Sequence, residues 1–374
     1  MRLLIIAGHS GQLQSATALA TACHAAHSGK RVLIASVGPA HVLGSLLGQQ
    51  LGPRPLELEP NLAAIEVVAR DEIGQGWDTM RPTIRSAFAS KLRDLGSEEL
   101  PSFPGMDAVG ALMIIEKAAR SGRFDLVVFD GPTIDTLIRT LALPDTIRWL
   151  VRLLFGLDRG AGRSRTSIEN ALLPTTLIPA NALAPVQDLR VHFEEQRARL
   201  EGIIGTRVRV VMPAEELMLP GIAQTLSALG LHGAEVDGVI GRGSDEEVSE
   251  ATRALFEANP NHPRPDLIID SLAIQPTDRE TWAQRGAQLY ARRRGGYSLR
   301  DLPYEMLAHS PAEQQELRIH VPFLDSRGLD IAVANEDVVI RSGAFRRHVL
   351  LPGLVAGGRL RARVEGEILR LWVE

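Results

Sequence analysis

The feature that most constrains this chain is a series of short, continuous apolar runs separated by helical stretches. The runs are Leu3–Ala7, Val32–Ala35, Ala64–Val68, Leu126–Phe129, Val208–Met212, Val236–Ile240 and Leu267–Ile269. A strand with one wet face alternates apolar and polar residues. A run without that alternation is covered on both faces, as in a parallel sheet. Stretches such as Ala16–Ala26 and Asp107–Arg120 fall between the runs and read as helices. This order predicts a doubly wound, mostly parallel α/β unit. Two inserts, near 70–105 and 145–205, interrupt it with helical or irregular sequence rich in proline and arginine.

From about residue 315 the period changes to two. Leu317, Ile319 and Val321 alternate with polar residues, as do Leu329, Ile331 and Val333, then Leu360, Ala362 and Val364, then Leu369, Leu371 and Val373. Such strands are half-buried and antiparallel. Asn335-Glu336-Asp337 and Ser342-Gly343 supply turn chemistry between them. At 374 residues the chain exceeds what one core usually serves. The expected division is an α/β unit over 1–294, a linker over 295–314 and a small all-β sandwich over 315–374. Arg292-Arg293-Arg294-Gly295-Gly296 reads as a solvated hinge before that sandwich.

Composition narrows the chemistry. The net charge is −4, which argues against a general nucleic-acid-binding surface. Cys23 is the only cysteine, so an internal disulfide, a Cys₄ zinc site and a CxxC redox pair are excluded. The ten histidines show no HxxxH or HExxH spacing. Neither zinc nor an iron–sulfur cluster is expected. The apolar N-terminus is too short for a signal peptide, and no run of 18 apolar residues exists. The expected setting is the cytoplasm, and the chain is not expected to be an integral membrane protein. Only Lys30, Lys91 and Lys117 are lysines among 41 basic residues. Any chemistry that needs a lysine therefore has three candidates.

The first run leads into Gly8-His9-Ser10-Gly11-Gln12-Leu13-Gln14-Ser15-Ala16 and then a helix. Strand, glycine-containing loop and helix is the arrangement that presents backbone N–H groups to phosphate. Further stretches sharpen the pattern. They are Gly29-Lys30-Arg31-Val32-Leu33-Ile34-Ala35-Ser36-Val37-Gly38-Pro39-Ala40-His41, Pro104-Gly105-Met106-Asp107, Phe124 through Asp130 with Leu137 through Pro144, and Val210 through Leu217. Together, and in this order, they resemble the ArsA family of P-loop ATPases along essentially the whole chain. Val321-Pro322-Phe323, Arg346 through Pro352 and Ala362 through Leu371 resemble the α-crystallin, or small heat-shock, β-sandwich.

The resemblance implies an ATP or ADP site with Mg²⁺ built from Gly8, His9, Gly11, Gln14, Ser15 and Asp130. Ser15 and Asp130 fall on the metal-holding positions. The other positions depart from the family pattern. Gln14 stands where the phosphate-loop lysine belongs, and a neutral amide cannot replace the ammonium charge that phosphoryl transfer uses. His9 replaces the second lysine and is mostly neutral near pH 7. Leu13 replaces a glycine, Gly38 falls on the water-positioning aspartate and Gly241 on the adenine-side asparagine. No catalytic residue is assigned. Asp130 also reads as part of a capped Asp130-Gly131-Pro132 turn. Arg163 and Arg165 are alternative donors of the missing charge.

The resemblance also implies a homodimer and an apolar client groove. Ile147 through Leu157 is the most hydrophobic helical stretch of the second insert, with Trp149, Leu150, Leu153, Leu154 and Phe155 as client-binding candidates. The competing reading packs that face into its own unit. The functional expectation is a chaperone-like or scaffold protein for a hydrophobic peptide or protein client, with weak or no hydrolysis. The alternative is an active ATPase that takes its charges from elsewhere. A dinucleotide-binding enzyme fails, because the loop lacks G-x-G-x-x-G and no acidic residue closes the strand near Ser36.

Overall fold

The computed structural model describes residues 1–8, 11–37, 42–87, 96–99, 106–155, 206–219, 221–257, 266–270, 275, 277–291, 316–324, 328–334, 337–350 and 358–374. The strands of the first unit are β1 (Arg2–Gly8), β2 (Val32–Val37), β3 (Leu56–Glu59), β4 (Leu62–Val67), β5 (Leu126–Thr133), β6 (Thr206–Pro213), β7 (Glu235–Arg242) and β8 (Asp266–Asp270). They form one sheet in the order β3-β4-β2-β5-β1-β6-β7-β8. Every neighbouring pair is parallel except the edge pair β3–β4. The mostly parallel sheet expected from the apolar runs is present. The antiparallel edge strand β3 was not among those runs.

The helices are α1 (Gly11–His27), α2 (Val42–Leu47), α3 (Ala69–Ala87), α4 (Met106–Ser121), α5 (Ile134–Phe155), α6 (Ala214–Leu217), α7 (Ile222–Leu231), α8 (Asp245–Glu257) and α9 (Arg279–Tyr290). Successive side chains of a strand point to opposite faces, so β1 serves two cores at once. Leu3, Ile5 and Ala7 join the core built with α4, α5, α7 and α8. Leu4 and Ile6 join the core built with α1, α2 and α9. Both faces are covered, which is why the runs carry no alternation.

Helix α1 is alanine-rich and almost wholly buried between the sheet and α9. The approach of α9 is close. A Cβ placed on Gly286 would stand 2.1 Å from the Ala20 carbonyl oxygen. Beneath this contact Arg209 of β6 forms a two-point pair with Asp237 of β7, at 3.0 and 3.2 Å. The Arg209 guanidinium also lies 5.0 Å from the centre of the Tyr290 ring.

The C-terminal unit contains β9 (Glu316–His320), β10 (Leu329–Ala334), β11 (Asp337–Ser342), β12 (Phe345–Leu350), β13 (Leu360–Glu365) and β14 (Ile368–Val373). They form two three-stranded antiparallel sheets, β10-β11-β12 and β13-β14-β9. Ser342 pairs with Phe345 across a two-residue turn in which Gly343 takes φ +58°. A glycine suits that left-handed position. Inward residues of both sheets share one core with Leu231 at the end of α7. Phe323 belongs to the core of the α/β unit instead. At Gly230 a Cβ would meet Pro322 Cδ at 2.4 Å. The sandwich is therefore seated directly on α7.

Among the described residues, no helix is long and apolar enough to cross a membrane. Helix α5 runs unbroken through Pro144 into the second insert. Residues 156–205, with Arg163 and Arg165, lie outside the described residues, as do 292–315.

Candidate functional site

The C-terminal ends of β1, β2 and β5 converge on the start of α1. In an open parallel sheet this edge is where ligands bind, because strand ends and helix N-termini meet there. Gly8 closes β1. A Cβ on it would lie 2.1 Å from the Val211 carbonyl oxygen of β6, so packing of adjacent strands already demands a glycine. Gly11 opens α1, and a Cβ there would meet nothing within 4 Å. His9 and Ser10, between them, lie outside the described residues, and so do residues 38–41.

Gln14 and Ser15 follow in the first turns of α1, and both are buried. Gln14 Nε2 donates to the carbonyls of Gly131 and Pro132, each at 3.0 Å. An amide nitrogen has two N–H bonds, so both are used. Gln14 Oε1 is buried and has no hydrogen-bond partner among the described residues. The Gln14 side chain is thus a tether between α1 and the last residues of β5. Leu13, beside it, is buried in the apolar core below.

Ser15 Oγ lies within hydrogen-bonding distance of two acceptors, the Gly11 carbonyl at 2.9 Å and Asp130 Oδ2 at 2.6 Å. Ser36 Oγ, at the end of β2, donates to the same Oδ2 at 3.0 Å. Burial pushes the Asp130 carboxyl up to about 7. The two serine hydroxyls pull it down, and the nearby Glu66 carboxylate adds to the rise. Glu66 is itself buried on β4 and accepts from the backbone N–H groups of Leu43 and Gly44 at the start of α2, at 3.0 and 3.1 Å.

The structure brings Gly8, Gly11, Gln14, Ser15 and Asp130 together at one sheet edge. It adds Ser36 and Glu66, to which the sequence reading gave no part. Glu66 had a visible signal, a lone carboxylate inside an apolar run. Ser36 had none, because its role depends on β2 lying beside β5. Trp149, Leu150, Leu153, Leu154 and Phe155 all lie on α5, but their side chains are outside the described residues.

These residues fit a magnesium triphosphate poorly. Both Gln14 N–H groups face carbonyls, and its free polar atom is an acceptor, which repels phosphate oxygen. Asp130 would have to ionise in a buried setting to hold the metal with Ser15. No reaction step is assigned through the nucleotide. Among the described residues no group of three or more His, Cys, Asp or Glu side chains is placed to hold a metal ion.

Comparison with known proteins places this geometry. The anion-transporting ATPase profile of the ArsA family matches residues 1–255, and the profile of an HSP20-like domain found in ArsA proteins matches residues 312–371. A Chlorobaculum tepidum protein named "Putative arsenical pump-driving ATPase" is 29% identical over 245 residues, 64% of this chain and 60% of the relative. This chain therefore spans only 60% of that relative's length. An uncharacterized protein of Streptomyces coelicolor is 27% identical over 364 residues, covering 95% of this chain and 85% of the relative. An Aquifex aeolicus protein, named like the first, is 23% identical over 389 residues, covering 94% of each. The chain belongs to the ArsA ATPase family and carries an HSP20-like domain at its C-terminal end.

Proposed function

We propose that this protein is a chaperone-like or scaffold member of its family, with weak or no ATP hydrolysis. The observation that carries the reading is Gln14. At the position where phosphoryl transfer needs a mobile positive charge, it places a neutral amide whose two N–H groups are bonded to Gly131 and Pro132. ATP or ADP with Mg²⁺ binds weakly through loop amides, Ser15 and Asp130. The client is an apolar peptide or protein segment, taken by the C-terminal half of α5 around Trp149, Leu150, Leu153, Leu154 and Phe155 in a homodimer. Two of the relatives carry the name of an arsenical pump-driving ATPase, and the lone Cys23 offers no cluster of thiols for such a role.

The second reading is a working ATPase with charges supplied from elsewhere. The retained Ser15–Asp130 pair favours it. Titration calorimetry with Mg-ATP, paired with single-turnover hydrolysis, separates the two. The proposal expects turnover no faster than that of a Ser15→Ala, Asp130→Ala double variant. Turnover clearly above that variant overturns it in favour of the second reading. Undetectable binding at millimolar ATP removes the second reading and leaves a nucleotide-free scaffold.

A further inference from the structure

Beside the apolar contacts of Pro322, Phe323 and Leu231, a buried charged side chain of the sandwich reaches the α/β unit. Arg347 of β12 is 3% exposed, and its Nη1 donates to the Leu231 carbonyl at the end of α7 at 2.7 Å. Its Nε stands 3.9 Å from Asp145 Oδ2 on α5. Asp145 is buried as well and directly follows Pro144, which lacks the N–H that a helix would direct to the Thr140 carbonyl. A buried pair adds little net stability, because desolvation offsets attraction. It does fix position. Sliding α5 past β12 would leave both groups buried without each other, which costs far more than the pair contributes.

The N-terminal end of α5, eleven residues before Asp145, is held too. The helix begins at Ile134, immediately after β5, and the Gly131 and Pro132 carbonyls just before it accept from Gln14. Between the two fixed points Leu137, Ile138 and Leu141 are buried in the same core as Phe323 of the sandwich. Close-packed interiors pass displacement on, since they have no free volume to absorb it.

We propose that Arg347 is a latch through which the HSP20-like sandwich sets the position of α5, and that movement at either fixed point is carried along this helix to the other. The helix extends to Phe155, so the latch links the sandwich both to the nucleotide-loop edge and to the segment assigned to clients. The coupling holds whether or not ATP binds, so its failure is distinguishable from failure of the functional reading.

Hydrogen exchange on the full chain without nucleotide tests it. Gln14→Met keeps the volume and removes the tether. It is expected to raise amide exchange in β12 about tenfold. Arg347→Met is expected to raise exchange at Gly131 and Thr133 by a similar factor. If that variant does not fold, the neutral pair Arg347→Met/Asp145→Leu replaces it. In the neutral background the effect of Gln14→Met stops at α5. The proposal is overturned if Gln14→Met leaves β12 exchange unchanged in the natural chain. It is equally overturned if the effect reaches β12 undiminished once the latch is gone.

Discussion

Burial favours the protonated form of Asp130, against the pull of the Ser15 and Ser36 hydroxyls. In the unfolded chain the carboxyl titrates near its ordinary 3.8, whereas in the folded protein burial raises it to about 7. The folded state therefore binds the extra proton between those two values. The stability contributed by the protonated form is full below about pH 4 and is lost as the pH rises through about 7. The full difference is on the order of 4 kcal/mol. Asp130→Asn keeps an oxygen for Ser15 and Ser36 without a charge to bury. It is expected to stabilise the protein by about 1–3 kcal/mol at pH 8 and by much less near pH 4. Thermal melts across that range check it, and equal effects at both ends contradict it. The sequence pointed to Gly8, Gly11, Gln14, Ser15 and Asp130 by residue type and order, and gave no sign of Ser36. What the Gln14 amide binds was not legible either. Its two carbonyl partners lie more than a hundred residues away, on another strand's exit.

At the scale of elements, apolar continuity was a faithful guide to the parallel strands, because burial on both faces removes the need for polar residues. Three of those runs contain charged side chains that continuity does not explain: Glu66, Arg209 and Asp237. Each is buried and hydrogen-bonded to a neighbour from a different element. The Arg209–Asp237 pair rests on a register shift between β6 and β7 at Val208/Arg209, which no local pattern announces. Edge strand β3 left too weak a signature, since Leu56 and Leu58 alternate over only four residues and Leu56 is exposed. Helix α9 illustrates a different limit. Gly286 looks like a weak point in a helix, yet it marks the closest approach to α1. Gly286→Ala gains helix propensity and loses the fit. The fit dominates, because the obstructing atom is backbone. The expected result is a net loss of about 1–3 kcal/mol in urea unfolding. An unchanged or raised midpoint would show that α9 shifts freely.

For the whole molecule, the seating of the sandwich decides whether there are two independent units or one. Phe323 belongs by sequence to the sandwich and by packing to the core of the α/β unit, in a left-handed backbone conformation of φ +56°. Its backbone N–H donates to Glu367 Oε1 at 3.1 Å. Phe323→Ala is expected to cost about 3–5 kcal/mol and to split unfolding into two steps. Hydrogen exchange at β1 and at β14 across a denaturant series separates them, and a single coincident step in the variant contradicts this. By itself the sequence determined the strand–helix order, the change of period near 315 and the residue types of the loop after β1. Those follow from periodicity and residue type, which are local properties. Only the tertiary structure decided which backbone groups Gln14 binds, what raises the Asp130 carboxyl, and that Arg347 meets Asp145. Those depend on desolvation and on contacts between segments distant along the chain, and neither exists until the chain is packed.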